Sequence, residues 1–243
     1  MTDLDARIRK AIVHFWTSRQ RQAKNQGRKD GKKDQGNRSA VTGGAQLDGF
    51  INLVHELLIE SGLSRHQVFT AKKSTVLPGW FRPTKEWDIV AVADGNIIAT
   101  LEFKSQIGSF GNNFNNRTEE ALGNATDLLA AYREGAFKPS ARPWLGYFML
   151  LEDVPRATTP VGVIEPHYKV FPEFRNSSYA DRYSILCRKF VRERLYDAAC
   201  VMLSEQKGGL QGKYREPYPE LVFKNFAVSL MGHASAYAKL HGS

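Results

Sequence analysis

Apolar residues recur along the first twenty positions at helical spacing. Ile8, Ile12, Phe15 and Trp16 share one face, and Asp3 and Asp5 sit where the positive end of a helix favours them. The pattern predicts a helix from Thr2 to about Arg21. From Lys24 to Arg38 the periodicity stops and Gly, Gln and Asn take over, so a loop or arm is expected there. A second helix is expected after Gly43-Gly44, with Leu47, Phe50, Ile51, Val54 and Leu58 as its stripe and Gly62 as its stop.

Strand patterns follow. Val68–Leu77 is short and interrupted, and Pro78-Gly79 signals a turn. Trp87–Ala93 and Ile97–Lys104 are rich in strand formers, and Asp94-Gly95-Asn96 between them reads as a hairpin loop. Both strands are apolar on both faces, which places them inside a sheet covered from two sides. Gly108–Asn116 reads as a polar loop, with Thr118 capping a helix to about Arg133 that carries Leu122, Leu128 and Leu129. Trp144–Leu151 is another buried strand. Beyond the proline-dotted stretch Pro155–Pro172, two helical stretches are expected, Tyr179–Ser204 and about Pro219–Leu240, separated by Gly208-Gly209. The order predicts a mixed α/β core with added helices. The expected layout is a single domain over 1–243: an N-terminal helix and arm over 1–38, a core over 45–152 and a C-terminal helical extension over 153–243.

The composition is ordinary for a globular chain of 243 residues, with 42% hydrophobic and 24% charged. Charge changes the picture. The net is +9, and between Arg19 and Arg38 eight cations face only Asp30 and Asp34. A surplus of that size suggests an anionic partner, although a charge run alone also describes a solvated linker. No apolar run approaches the ~18 residues that span a bilayer, and MTDLDARIRK has no apolar core of a secretory signal. Cys187 and Cys200 form no CxxC and read as buried thiols of a cytoplasmic protein. No GxxxxGK[ST] loop is present, so chemistry driven by ATP is not indicated.

The hairpin carries charges where a buried strand should have none. Asp88 follows Trp87, and Glu102 and Lys104 end the returning strand on one face, with Phe103 pointing the other way. If Asp94, Gly95 and Asn96 form a three-residue loop, Asp88 lies opposite Glu102 on the same face, with Cβ atoms roughly 5 Å apart. A two-residue loop would put the two carboxylates on opposite faces. Paired carboxylates at a strand end call for a cation, and Mg²⁺ fits because it takes one or two carboxylates plus water and substrate phosphate. With Lys104 beside them, the set suits metal-assisted phosphodiester hydrolysis. Asp30-Gly31-Lys32 and Glu205-Gln206-Lys207 show the same short pattern but lie in polar surroundings. The competing reading of the hairpin is a structural salt bridge.

Pro83, Asp88 and Glu102-Phe103-Lys104 together resemble the PD-(D/E)xK nuclease core. The strings DQGNRSAVTGGAQLDGF (34–50), FRPTKEWDIV (81–90), FGNNFNNRTEEALG (110–123), LGYFMLLED (145–153) and EPHYKVFPEFR (165–175) resemble the XhoI-type restriction endonucleases. The resemblance implies a PD-(D/E)xK α/β fold with a central mixed sheet flanked by helices. It implies a type II restriction enzyme that cuts CTCGAG in double-stranded DNA as a homodimer in a prokaryotic cytoplasm, with Mg²⁺ as cofactor. Pro83 stands five residues before Asp88, so its equivalence to the motif's proline is open.

By the same resemblance Asp88, Glu102 and the Phe103 carbonyl would hold the metal, and Lys104 would position the attacking water. Many nucleases of this fold add an acid from the first core helix. Asp48 flanks that helix's apolar stripe and is preferred to Glu56, which lies opposite it. For DNA contact, Asn112, Asn113, Asn115, Asn116 and Arg117 offer base-pairing side chains. Arg28, Lys29, Lys32 and Lys33 offer phosphate contacts. Arg182, Arg188, Lys189, Arg192 and Arg194 form a second basic cluster, read equally as phosphate clamps or as a solvated face. The rival functions are a junction-resolving or repair nuclease on the same core, and a non-catalytic DNA-binding protein.

Overall fold

A computed structural model describes residues 3–29 and 44–241. The first helix, α1 (Leu4–Lys29), outruns its apolar stripe. Gln, Ala, Lys and Arg past Arg21 are good helix formers, so the stretch Lys24–Lys29 expected to be a loop is helical instead. A 3₁₀ turn over Gly44–Leu47 leads into α2 (Asp48–Glu60), which stops at Gly62 in a left-handed conformation (φ 103°) as the sequence suggests.

The central sheet is assembled from β1 (Val68–Phe69), β4 (Ile89–Ala93), β5 (Asn96–Gln106), β6 (Trp144–Glu152) and β7 (Ala198–Ser204), side by side in that order. β1, β4 and β5 are antiparallel neighbours, whereas β5, β6 and β7 run parallel. The strands β2 (Val76–Pro78) and β3 (Thr84–Glu86) form a separate two-stranded ribbon ahead of β4.

Helices cover both faces. On one lie α1, α2 and the last helix, α5 (Phe223–His241), over Leu101, Phe103, Phe148 and Met202. On the other lie α3 (Phe110–Arg133) and α4 (Tyr179–Arg192) over Val90, Tyr147, Met149 and Val201. Phe148 anchors the first layer, with ring centroids 4.6 Å from Phe50 and 5.3 Å from Phe103. Cys187 and Cys200 are free and buried, as expected.

Two further expectations fail. Tyr179–Ser204 is not one helix: α4 stops at Arg192, Arg194 turns back with φ 56°, and β7 enters the sheet parallel to β6. The C-terminal region is therefore not wholly helical. The segment AACVMLS has a single β-branched residue, and Ala, Leu and Met are helix formers, so tertiary pairing overrides local preference.

Phe148→Ala should lower unfolding stability in urea by about 3–5 kcal/mol, because its buried site is walled by aromatic rings that cannot close over the void. A loss below about 1 kcal/mol would show that this layer does not pack as described.

Candidate active site

The hairpin that positions the charged residues turns more tightly than expected. Ala93 pairs with Asn96, so the loop is Asp94-Gly95 alone, with φ of 50° and 75°. Both central residues are left-handed, the backbone of the turn that matches strand twist. Without a further change, that turn would separate the two carboxylates. The register shifts between Val92 and Ala91: Val92 pairs with Ile97, Ala91 with Ala99, and Ile98 is the extra residue of a β-bulge. Beyond it Val90 meets Thr100 and Ile89 meets Leu101, the register that the longer loop would have produced. Asp88 and Glu102 come next on the same side. The Phe103 N–H donates to Asp88 Oδ2 at 2.7 Å and the Asp88 N–H donates to the Leu101 carbonyl.

Glu102 is 1% exposed. Its Oε1 lies 2.6 Å from Lys104 Nζ and 3.7 Å from Lys85 Nζ. Its Oε2 accepts a 2.6 Å bond from Asn124 Nδ2. Burial pushes the Glu102 carboxyl up, but Lys104, Lys85 and Asn124 together outweigh it and hold the pKa below the ordinary value. Burial likewise works against the charge on Lys104, and the attraction of Glu102 overcomes it, so that ammonium is held above its usual range. Asp88 goes the other way: burial raises it, the Phe103 N–H opposes, and the nearby Glu102 charge adds to the rise. Lys85 is lowered by burial and sits over the Trp87 ring, 4.7 Å from its centroid.

The other wall of the site is a polar stripe on α3. Asn113, Arg117, Glu120, Asn124 and Asp127 recur every three or four residues, so they share one helix face. Glu120 lies 3.7 Å from Lys104 Nζ and 2.7 Å from Arg117. Asn124 accepts from Arg82 at 2.6 Å through its amide oxygen. Asp127 accepts the N–H groups of Trp80 and Phe81, each at 2.7 Å, and Arg82 Nε at 2.8 Å. The turn at 79–83 thereby fastens to the helix. Its Gly79 is required by the approach: a Cβ there would lie 2.3 Å from Asp127 Oδ2.

A buried Glu102 and a half-buried Asp88 stand together beside Lys104 within the central sheet, and the comparisons say which enzymes the chain resembles. The family model described as restriction endonuclease XhoI matches residues 25–216. The chain is 52% identical over 217 residues to the type II restriction enzyme BstVI of Geobacillus stearothermophilus, covering 87% of this chain and 96% of that one. It is 44% identical over 170 residues to AbrI of Azospirillum brasilense, another type II restriction enzyme, covering 70% and 76%. It is 38% identical over 194 residues to the type II restriction enzyme XhoI of Xanthomonas vasicola, covering 79% and 77%. The chain belongs to the XhoI restriction endonuclease family. It is a type II, site-specific deoxyribonuclease. No solved structure matches it.

This XhoI-family enzyme brings Asp88, Glu102, Phe103 and Lys104 together, but not Asp48. Asp48 is exposed at the start of α2, a helix packed on the opposite sheet face. Burial raises its pKa and the charge that reaches it is His14's. Among the described residues no hydrogen bond or ion pair ties it to the triad. Glu56 pairs with Arg65 and Glu60 with Arg7.

Asn112, Asn113, Asn115, Asn116 and Arg117 lie on the first turns of α3, not in a loop, because Ser109 turns the chain at φ 47° and the helix starts at Phe110. Helical geometry then divides them. Asn113 and Arg117 belong to the site-facing stripe, whereas Asn112, Asn115 and Asn116 are exposed. Arg28 and Lys29 are on α1 with side chains outside the described residues, and Lys32 and Lys33 lie outside them altogether, as does Asp30-Gly31-Lys32.

Much of the second basic cluster is spent within the protein. Arg182 bonds the Val161 and Gly162 carbonyls, Arg188 pairs with Glu220, and Lys189 with Glu173. No helix among the described residues is long and apolar enough to cross a membrane. Lys85, Asn124, Glu120, Arg82 and Asp127 were missed from sequence. For Glu120, Asn124 and Asp127 the signal was the three-and-four spacing of polar residues along a helix that otherwise buries Ala and Leu; Arg82 and Lys85 lie in the turn and strand of the ribbon, which carries no such signal.

Asp127 gives a test of the fastening. Burial pushes its carboxyl up, and the Phe81 N–H, Arg82 and the Trp80 N–H outweigh that and hold it below the ordinary aspartate value. A lowered folded pKa means stability that is present above the unfolded pKa and lost as pH falls through the folded one. Asp127→Asn should therefore be less stable than the parent by about 1–3 kcal/mol at neutral pH. The gap should close on acidification below about pH 4. A gap that persists unchanged into acid would contradict the assignment.

Proposed function

We propose that this restriction endonuclease cuts double-stranded DNA within CTCGAG, as a homodimer, with Asp88, Glu102 and Lys104 as its catalytic group and Mg²⁺ as its cofactor. The observation that carries the proposal is the pairing of a buried Glu102 with Lys104 beside Asp88, in register on one sheet face. The residues present suit the ion. Glu102 Oε1 carries the 2.6 Å Lys104 contact and Oε2 the Asn124 bond, and each oxygen keeps a second lone pair for a ligand. Asp88 has only its Oδ2 engaged by the Phe103 N–H. Two carboxylates with the Phe103 carbonyl are an all-oxygen set of the kind a hard cation takes, with water and phosphate completing it.

When bound, the metal supplies positive charge to the phosphoryl oxygens and lowers the pKa of a water. The protein does the rest. Lys104 donates to the attacking water and to charge that develops on the phosphate, in a site where burial makes each donor count for more. Glu102 keeps that ammonium charged and aimed. Asn124 fixes the carboxylate's other oxygen, so Glu102 presents one orientation.

Substrate contact is proposed along two regions. Asn113 and Arg117 lie on the helix face that also holds Glu120 against Lys104, and Asn112, Asn115 and Asn116 are exposed on the adjoining faces, where the duplex would pass. Arg28 and Lys29, the last residues of α1, and Lys32 and Lys33, which follow them in sequence, are proposed as phosphate contacts that do not read sequence. A palindrome presents two equivalent strands, which a two-fold pair of chains matches with one site each.

A large DNA digested with Mg²⁺ should yield discrete fragments with ends inside CTCGAG, and Lys104→Ala should bind the same duplex while cutting at least about a thousandfold more slowly. Nicking that follows branched or damaged structure would favour the repair-type nuclease. Near-parental cutting by Lys104→Ala would remove that residue from the chemistry.

A further inference from the structure

Next to the triad stands a feature that the proposed chemistry does not use. Trp80 is 55% exposed and Phe81 is 73% exposed, side by side at the tip of the turn between β2 and β3. Single exposed apolar residues are ordinary. This pair differs in how it is held. The main-chain N–H groups of both residues donate to one buried carboxylate, Asp127. Arg82, next in sequence, bonds the same carboxylate and reaches Asn124.

The tip is thus a fixed mount and not a loose loop, so little ordering entropy remains to be lost when the rings find a partner. It is also wired to the chemistry. Asn124 accepts from Arg82 through its oxygen and donates to Glu102 through its nitrogen, so one amide spans the distance from turn to carboxylate. Two hydrogen bonds, Arg82 to Asn124 and Asn124 to Glu102, link the residue next to the tip to the carboxylate beside Lys104. Arg82 and Lys85 are paired with Asp127 and Glu102, so the occupant follows from the enzyme's own substrate: DNA seated at Lys104 is the partner that the tip meets.

We propose that Trp80 and Phe81 form an aromatic wedge that packs against the base pairs adjoining the scissile phosphate, and that the Arg82–Asn124 bridge passes the seating of this wedge to Glu102. The inference rests on the endonuclease reading above. It adds two DNA-contacting residues and one positioning residue, Asn124, which acts through Glu102. Aromatic wedges of this kind unstack a base step and stabilise a bent or opened duplex. Substrate engagement at the tip would then be coupled to the orientation of the metal-binding carboxylate.

The other three tryptophans, Trp16, Trp87 and Trp144, are buried, so Trp80 is the exposed indole of the chain. The test uses a duplex that the parent enzyme cuts, with 2-aminopurine beside the cut position and Ca²⁺ in place of Mg²⁺ to hold the uncut complex. The parent should show 2-aminopurine emission rising and tryptophan emission falling on binding. Trp80→Phe should lose the tryptophan change, and the paired variant Trp80→Ala/Phe81→Ala should lose the 2-aminopurine rise.

With Mg²⁺, that paired variant should lose cleavage by about ten- to a hundredfold for each ring removed, at unchanged thermal stability. Asn124→Ala should lower kcat with little change in KM, and Asn124→Gln should restore part of it. A 2-aminopurine rise equal in parent and paired variant, or cleavage within twofold of the parent, would overturn the wedge. So would a paired variant that falls to a smaller oligomer and regains activity at high protein concentration, since the rings would then be a contact between copies. A tryptophan change that survives Trp80→Phe overturns it even if the paired variant fails to fold. If the parent cuts no DNA, the endonuclease reading itself fails.

Discussion

A carboxylate at 1% exposure in the middle strand is the constraint around which the site is organised. An ionised Glu102 in that position is costly unless charge and hydrogen bonds reach it from several sides. Three elements meet that need: β5 itself with Lys104, β3 with Lys85, and α3 with Asn124. Each partner is then held in turn. Lys104 is near Glu120, Lys85 rests on Trp87, and Asn124 is bonded by Arg82. The burial of one charged group therefore dictates the position of a helix and of a two-stranded ribbon. Asp88 stands beside this charge, with burial and Glu102 pushing its carboxyl up against the pull of the Phe103 N–H and the two lysines.

The second constraint is the bulge at Ile98. A tight left-handed turn at Asp94-Gly95 suits the twist of the strands, and by itself it would put Asp88 and Glu102 on opposite faces. One extra residue in β5 reconciles the favoured turn with the chemical requirement. The sequence reading arrived at the correct face through a loop one residue too long, because Asn96 in fact pairs with Ala93 and the compensating residue lies two positions farther on. Composition gives no sign of that bulge: Ile97, Ile98 and Ala99 are all acceptable strand residues.

What was legible follows the strength of local patterns. The apolar runs of β4, β5 and β6 and the stripes of α1, α2 and α5 were visible because each has one consistent period. The triad stood out because charge interrupted a run that was otherwise apolar. What escaped was set by tertiary structure. β7 is written in helix formers and becomes a strand beside β6. The Asn-rich start of α3 looks like a loop and becomes helix because it lies over the triad's face of the sheet, with Phe110 buried beneath it. Asp48 has the right type and sits on the first core helix, but that helix covers the other face. Nothing in a single helix's periodicity says which side of the sheet it will take.

The central claim is that Asp88 and Glu102 hold the catalytic cation. The most direct measurement is calorimetric titration of Mg²⁺ into the enzyme bound to an uncleavable analogue of its cognate duplex. Asp88→Asn and Glu102→Gln should be compared with the parent. The account predicts saturable Mg²⁺ uptake by the parent complex and its loss in both variants, with DNA affinity retained. Equal uptake in the parent and in both variants would contradict it.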